Sequence, residues 1–586
     1  MRLIFDIETD GLNPTLVWCI CAIDVDSGKE YSFRPDEVEE GVQFIGQATE
    51  LIGHNIMGYD LPALEKLYGF KPTCKITDSL ILTRLIWADV KDHDFNNYRA
   101  GAFPARLIGS HSLKAWGYRL QIFKDDFGET TDWSEYSEEM LEYCMQDVRV
   151  TAKLFARIES KNYSSDAIEL EHEIHRICLQ QTKNGFPFNV QKAVQLQAQL
   201  NDRATELKRQ LQERFGGWWE SKGLFTPKRT QGMYTEGQRL TKVSWVDFNP
   251  RSREHIAKKL KELGWKPSVF TDTGLPKVDE SILKELKFPE AELLCEYLLI
   301  EKRLGQLAEG KNAWLKLEKD GKIHGEVITN GTVTSRCTHQ RPNMSQVPSV
   351  NAPYGVECRS LFYAPDGYVL LGMDMSGLEL RCLAHMTHQW DGGAYGKEIL
   401  EGDIHTANQQ AAGLPDRQTA KVFIYSFLYG AGDEKIGKTI GKGRQAGKAL
   451  KDRFLERTPA IKNLRDAVAK QVQQHNSLRG LDGRRFNTRS EHSAVNTLLQ
   501  GTGAILCKRW VVMWHQMLKE AGYVDGKDYL QVAFVHDEIQ MLVKEMYADK
   551  IAEIGLNAIK QTGEYYNFNI TLDGEYKLGS NWAETH

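Results

Sequence analysis

The chain has no pair of cysteines at CxxC spacing; its ten cysteines are scattered, and Cys19 and Cys21 simply alternate along a strand-like run. Neither a zinc module nor a disulfide framework is expected, which fits a reducing compartment. No apolar run approaches the about 18 residues that a membrane span requires, and Met1 leads directly into a strand rather than a leader peptide. There is no internal repeat and no low-complexity tract. Nor is there an excess of positive charge. The net charge is −5 and the pI about 6.4, so any grip on a polyanion must come from local basic stretches. What is left is 586 residues of ordinary globular composition, 41% hydrophobic and 26% charged, too long for one core and suited to three or four units.

The most informative stretch is Tyr368 to His385, YVLLGMDMSGLELRCLAH. Val369-Leu370-Leu371, preceded by the turn residues Asp366-Gly367, reads as a short buried strand. Asp374 stands at its end, and Ser376-Gly377 breaks the pattern. Beyond the break Leu378, Arg381, Cys382 and His385 fall at helical spacing. A strand that delivers one carboxylate to the mouth of a sheet and then turns into a helix can place a metal ligand. It can equally be an ordinary strand, turn and helix, so the decision rests on the rest of the chain.

Residues 1–170 read as one α/β unit. In Arg2 to Thr9, a strand, the period of two puts Asp6 and Glu8 on one face, where they repel unless a cation lies between them. The turn-like GHNIMGYDL supplies Asp60. Ser137 is a candidate N-cap for a helix on which Tyr143 and Asp147 share a face, four residues apart. Asp78 in TDSL is as well explained by a helix start and is left out of the set. Four carboxylates and a tyrosine in this order resemble the DEDD-type 3′–5′ exonucleases, in the variant that carries a tyrosine. The resemblance implies that Asp6, Glu8, Asp60 and Asp147 hold two divalent ions and that Tyr143 orients the attacking water. Oxygen ligands favour Mg²⁺, with Mn²⁺ able to substitute, over zinc.

From about 170 to 310 the pattern is helical, with amphipathic stretches at Leu170–Gln181 and Asn189–Phe215. Residues 220–247 read as irregular and basic. Asn249 to Lys266 opens with a proline near a helix start and carries six basic and two acidic residues, either a solvated helix or a surface for duplex phosphates. His324 to Pro348 is a strand–turn region containing Thr334-Ser335-Arg336. Leu414-Pro415-Asp416 starts a helix on which Arg417, Lys421, Tyr425 and Tyr429 recur every four residues. An Arg and a Lys one turn apart suit a polyphosphate, and the tyrosines suit a base or sugar. Asn496 and Gln500 share a helix face. Leu530 to Val535 is a second apolar strand, ending in His536-Asp537-Glu538 and returning as Ile539 to Val543, a hairpin with acids at its turn.

Asp374-x-Ser376-x-x-Glu379, the Arg417, Lys421, Tyr425, Tyr429 stripe and His536-Asp537-Glu538, in this order, resemble motifs A, B and C of family-A DNA polymerases. With the upstream exonuclease pattern the match runs over nearly the whole chain, and its wording is similar to the replicative polymerases of T-seven-like bacteriophages. The implied fold is mixed α/β and α+β: an RNase H-like exonuclease domain (1–170), then a right-hand polymerase with thumb (171–310), palm (311–390 and 466–586) and fingers (391–465). Asp374 and Asp537 would hold two Mg²⁺ ions. Arg417, Lys421 and His405 would contact the incoming triphosphate, Lys421 also protonating the leaving group. Glu379 and Tyr425 would select deoxy sugars, and a tyrosine at 425 implies weak discrimination against dideoxynucleotides. Tyr429 would stack near the templating base, and Arg336, Asn496 and Gln500 would reach the minor groove of the terminal pair. Glu538 and a terminal His586 are secondary candidates at the same centre.

The resemblance also implies partners: primer-template DNA and dNTPs, a phage helicase-primase, and a single-stranded DNA-binding protein, in the cytoplasm of an infected bacterium. Three departures stand out. Ser335 occupies a place where glycine is commoner, and His492 one where arginine is. Only about 28 residues separate Trp219 from Phe248, where the thioredoxin-recruiting relatives carry a long insertion, so thioredoxin is not expected as a partner. A single-subunit RNA polymerase and a nuclease whose second domain only grips DNA stay open at this point. The exonuclease pattern and Glu379 argue against the first.

Overall fold

The computed structural model describes residues 1–122, 132–488 and 490–585; His586 and the side chain of His492 lie outside the described residues. The chain forms two compact units. One comprises Met1–Phe186, His324–Ser349 and Ala364–His586, the other Pro187–Ile323 with Val350–Tyr363.

The first unit opens on a five-stranded sheet: β1 (Arg2–Thr9), β2 (Val17–Asp24), β3 (Glu30–Phe33), β4 (Glu50–Gly53) and β5 (Lys75–Asp78), in the order β3-β2-β1-β4-β5. β2 runs antiparallel to β1, and β4 and β5 follow in parallel. Alternation along β1 decides its two faces. Leu3, Phe5 and Ile7 enter a core with Val38, Leu51 and Leu64, each burial contributing about 1.5–3 kcal/mol. Ile4 enters a second core with Cys19, Cys21, Cys144 and Val148, under helix α3. α1 (Asp60–Tyr68) and α2 (Ser79–Ile86) start at sheet ends, and α3 (Glu138–Glu159) starts where Ser137 accepts from the Met140 N–H at 3.2 Å. α4 (Ser165–Asn184) follows.

The second unit is built on α5 (Val190–Phe215), whose Leu196, Leu200, Leu207 and Leu211 are buried, Asn189 capping its start and Gly216 (φ +60°) ending it. Residues 220–247 are irregular only in their middle, 226–239. β6 (Gly217–Phe225) and β7 (Leu240–Asp247) form an antiparallel hairpin, Trp219 opposite Trp245, with much of both faces solvated. A hairpin that buries neither face shows no alternation of apolar and polar residues, which hides it in the sequence. In α6 (Arg253–Glu262) and its approach, several of the expected basic residues are already engaged. Lys259 is buried and paired to Glu262, Lys258 lies 4.0 Å over Trp218, and Arg251 pairs with Glu301 on α7 (Pro289–Leu304).

Back in the first unit, a short ladder joins β8 (Glu326–Ile328) to β9 (Thr338–Gln340) and carries the Thr334–Arg336 loop between them. The central strand of the second sheet is β10 (Tyr368–Met375). It leads through Gly377, at φ +59° where glycine is favoured, into α8 (Leu378–Asp391). Next come α9 (Ile404–Ala412), α10 (Arg417–Leu428), the 30-residue α11 (Glu491–Glu520), β11 (Tyr529–Val535), β12 (Glu538–Lys544), α12 (Ala548–Tyr565) and β13 (Gly574–Gly579). The sheet is antiparallel throughout, in the order β11-β12-β10-β13. α11 and α12 cover it. Trp510 and Trp514 stack, and their indole N–H groups donate to the carbonyls of Gly555 and Ile551 at 3.1 Å. A Cβ at Gly555 would lie 2.7 Å from the Trp514 ring, so the close approach of the two helices requires glycine there.

Candidate active sites

One centre lies at the open end of the second sheet. β10 exposes Asp374 at its penultimate position, in register with Glu538 on one side and Glu575 on the other. The β11–β12 hairpin brings Asp537 beside it, and His536 makes the turn at φ +61°. The Met375 N–H donates to the Asp537 carbonyl at 3.4 Å, tying the two carboxylate-bearing segments together. Burial, then the neighbouring Glu379 and Asp374, push the Asp537 carboxyl up to about 6. Glu379, in the first turn of α8, accepts from Tyr429 Oη at 2.9 Å and lies 3.5 Å from Arg336. Arg336, His536 and Asp537 line a small cleft with Gly503, Ala504 and Cys507 of α11. Gln500 and Asn496 precede Ala504 on α11 by one and two turns, on the same face, and Asn496 Oδ1 is buried with no hydrogen-bond partner among the described residues.

Ser335 and Glu538 show what the sequence left undecided. Ser335 adopts φ +56°, a left-handed conformation that glycine takes at no steric cost, and the serine bears the strain. Glu538 turns away from Asp537. It is buried, and its Oε1 accepts from Gln540 at 2.7 Å and from the Trp582 indole at 2.6 Å, so it anchors the C-terminal segment.

Helix α10 presents the expected stripe. Asp416 caps it, accepting from the Thr419 N–H at 2.8 Å, while Ala420, Phe423, Ile424 and Leu428 are buried on the opposite side. Arg417 is held by Asp403 at 2.7 Å, and Asp403 also caps α9 through the His405 and Thr406 N–H groups. This pairing holds the Asp403 carboxyl well below the usual range. Lys421 is exposed one turn further on, and His405 lies 6.2 Å from the Tyr425 ring. Tyr425 stacks on Tyr429 at 6.4 Å, and burial together with the charges of Glu379 and Asp537 raises its phenol. The stripe therefore ends at the carboxylates of the sheet.

A fully buried charge cluster underlies this centre, and sequence reasoning missed it. Arg484 contacts Asp482 and Glu171 at 2.6 Å, and Lys508 of α11 contacts the same Glu171 oxygen at 2.6 Å and Asn330 at 3.3 Å. The four charges sum to zero inside the core, joining α4 to the Gly480–Arg485 turn and to α11.

The second centre lies on the first sheet. Asp6 and Glu8 share one face of β1, opposite Cys21 and Cys19 of β2. Asp60, buried at the start of α1, accepts from the Ile7 N–H at 3.2 Å. Burial first, then Asp78 and Asp147, raise its carboxyl to about 7. Asp147 is buried on α3, with Tyr143 one turn earlier. Asp78 caps α2 and also accepts from the N–H groups of Asn55 at 2.9 Å and Met57 at 3.1 Å, so it shapes the turn that delivers Asp60. Carboxylates held this close repel one another, and their oxygen donors fit a hard divalent cation.

Residues 228–584 match DNA polymerase family A, and residues 3–159 match the RNase H superfamily. The chain belongs to DNA polymerase family A, with an RNase H-like domain ahead of the polymerase fold. It is 39% identical to the DNA-directed DNA polymerase of Enterobacteria phage T3 and 38% identical to that of Escherichia phage T7, each over the full length of both chains. In fold it resembles the POL domain of Pol1 from M. smegmatis, solved in complex with DNA primer-template and dNTP. The TM-score is 0.75 at 16% identity, covering 100% of this chain and 96% of that one.

Proposed function

We propose that this chain is a phage replicative DNA polymerase that extends a primer along a template from dNTPs at Asp374 and Asp537, and trims the 3′ end hydrolytically at Asp6, Glu8, Asp60 and Asp147. The observation that carries the reading is the meeting of the Arg417, Lys421, Tyr425 stripe with Glu379 and Asp537 at one sheet end. Asp374 and Asp537 are the residues to hold Mg²⁺ in synthesis, and the four N-terminal carboxylates to hold it in trimming, two ions at each. When bound, such ions supply positive charge that eases deprotonation of the attacking hydroxyl or water and offsets charge on the departing oxygen.

The remaining roles fall to side chains. Arg417 and His405 bind the triphosphate, with Asp403 setting the guanidinium. Lys421 adds a point charge and donates a proton to pyrophosphate as it leaves. Tyr425 and Glu379 close the space at the sugar 2′ carbon. Tyr429 stacks at the template position, while Arg336, Asn496 and Gln500 read the minor groove of the terminal pair. Tyr143 orients the water for trimming. The thumb, palm and fingers boundaries, the helicase-primase and single-stranded DNA-binding partners, and action in the host cytoplasm belong to the same proposal. The short β6–β7 hairpin supports synthesis without thioredoxin. Long products that appear only when thioredoxin is added would contradict that part. Among the described residues no helix is long and apolar enough to cross a membrane.

Primer extension and 3′-end degradation by the purified chain test the whole. Asp537→Ala should abolish extension and leave degradation, and Asp6→Ala with Glu8→Ala should do the reverse. Degradation lost together with extension in Asp537→Ala would sink the two-centre reading.

A further inference from the structure

The N-terminal centre contains a donor that magnesium does not use. Cys144 of α3 is fully buried, yet its thiol is aimed at β1, donating to the Asp6 carbonyl at 3.4 Å. Its sulfur and one carboxylate oxygen each of Asp6 and Glu8 lie within 4.8 Å of one another. Cys19 and Cys21 add two further thiols on the same face, paired across β1–β2 with Glu8 and Asp6. Ordinary packing does not require three thiols and two carboxylates to converge.

We infer that Cys144, Asp6 and Glu8 form a site for a thiophilic divalent cation of the zinc class, distinct in chemistry from the Mg²⁺ that the carboxylates alone would take. Zn–S near 2.3 Å and Zn–O near 2.1 Å at tetrahedral angles place S and O roughly 3.6 Å apart and the two oxygens roughly 3.4 Å apart, so the ligands need to close by about 1.5 Å at most. Both sit at the mouth of the site and are part-exposed, which gives the ion a way in. A thiolate favours zinc or cadmium and is passed over by magnesium, and zinc exceeds manganese in affinity for a given donor set. As the ion binds, the Cys144 Sγ–H bond breaks, sulfur keeps the electron pair as a ligand, and the proton leaves to solvent. An ion so held occupies Asp6 and Glu8. It therefore blocks trimming while leaving synthesis untouched; this consequence, unlike the binding itself, rests on the exonuclease reading.

The test uses the full chain in excess Mg²⁺, titrated with Cd²⁺ while the ultraviolet sulfur-to-metal charge-transfer band is followed. Wild type should develop the band to one equivalent. Cys144→Ser and Cys144→Ala should each lose it, and Cys74→Ser, a change at a cysteine remote from the cluster, should keep it. No band in wild type, or a band that survives both changes at Cys144, overturns the site. In a second arm, Zn²⁺ near stoichiometry should suppress 3′-end degradation, and each Cys144 variant, measured against its own zinc-free rate, should need at least tenfold more. Equal zinc sensitivity in variants and wild type also overturns the proposal. A chain that shows the band but degrades no 3′ end in Mg²⁺ alone keeps the site and refutes the exonuclease reading.

Discussion

Tyr429 donates its phenol to Glu379 across 2.9 Å, joining the end of α10 to the first turn of α8 while Arg336 lies 3.5 Å from the same oxygen. The tyrosine is 44% exposed, so the bond is a positioning contact rather than a large stabiliser. Tyr429→Phe should change stability by less than about 1 kcal/mol. It frees Glu379 to turn toward Arg336, and the KM for dNTP should rise about two- to tenfold with kcat nearly unchanged. Single-nucleotide incorporation kinetics measure this, and a collapse of kcat with KM constant would show that the contact acts on the chemical step instead.

Asp537 carries a testable pH dependence. Its folded carboxyl, near 6, lies above the ordinary value near 3.8, so the fold penalises the charged form. In metal-free protein this contribution favours folding below about pH 4 and is lost as pH rises to about 6. Asp537→Asn should therefore raise metal-free stability at pH 8 by about 1–2 kcal/mol, with no gain at pH 4, although synthesis is abolished. Thermal melts at the two pH values, in a chelator, decide it.

At the other centre the Asp60 carboxyl is raised to about 7. With Mg²⁺ well below saturation, 3′-end degradation should fall nearly tenfold per pH unit below about 7, since protonated Asp60 cannot serve as an anionic ligand. Saturating Mg²⁺ favours the anion and should move this limb to lower pH. Rate profiles at two Mg²⁺ concentrations that superimpose would contradict the assignment.

The shared Glu171 oxygen makes the buried cluster cooperative. Glu171→Ala leaves Arg484 and Lys508 with Asp482 alone and should destabilise by about 3–5 kcal/mol, lowering Tm by several degrees. Adding Lys508→Met restores the charge balance, so the double variant should be more stable than the sum of the two single losses. Strict additivity would mean that the charges do not sense one another.

Four of the carboxylates proposed as metal ligands stand out in the sequence because each sits where a periodic pattern stops. Asp6 and Glu8 end an alternating strand, Asp374 precedes the Ser376-Gly377 break, and Asp537 lies between two apolar runs. Caps were equally readable, Ser137 and Asp416 both accepting from the third residue beyond them. What escaped depends on partners remote in the chain. Arg484 in a turn beside Arg485 has every mark of a surface residue, and its burial follows only from Glu171, 313 positions away. Cys144 passes for one more apolar position on α3 until β1 is laid against it. Ser335 was legible only in part: the sequence shows a serine where glycine is commoner, but not that it adopts φ +56°.

The buried cluster also sets where this enzyme could be cut. Ser164 bonds the Asp482 carbonyl, Asp166 pairs with Arg509 at 2.5 Å, and Glu171 balances Arg484 and Lys508. The stretch after α3 thus serves as a keel for the synthetic half, although it follows directly from the trimming half. A minimal synthetic enzyme lacking the nuclease must begin ahead of Ser164. Beginning at Pro187 would leave Arg484 and Lys508 in the interior with Asp482 as their one remaining anion, and such a fragment should fail to fold even though none of the residues assigned to synthesis had been removed.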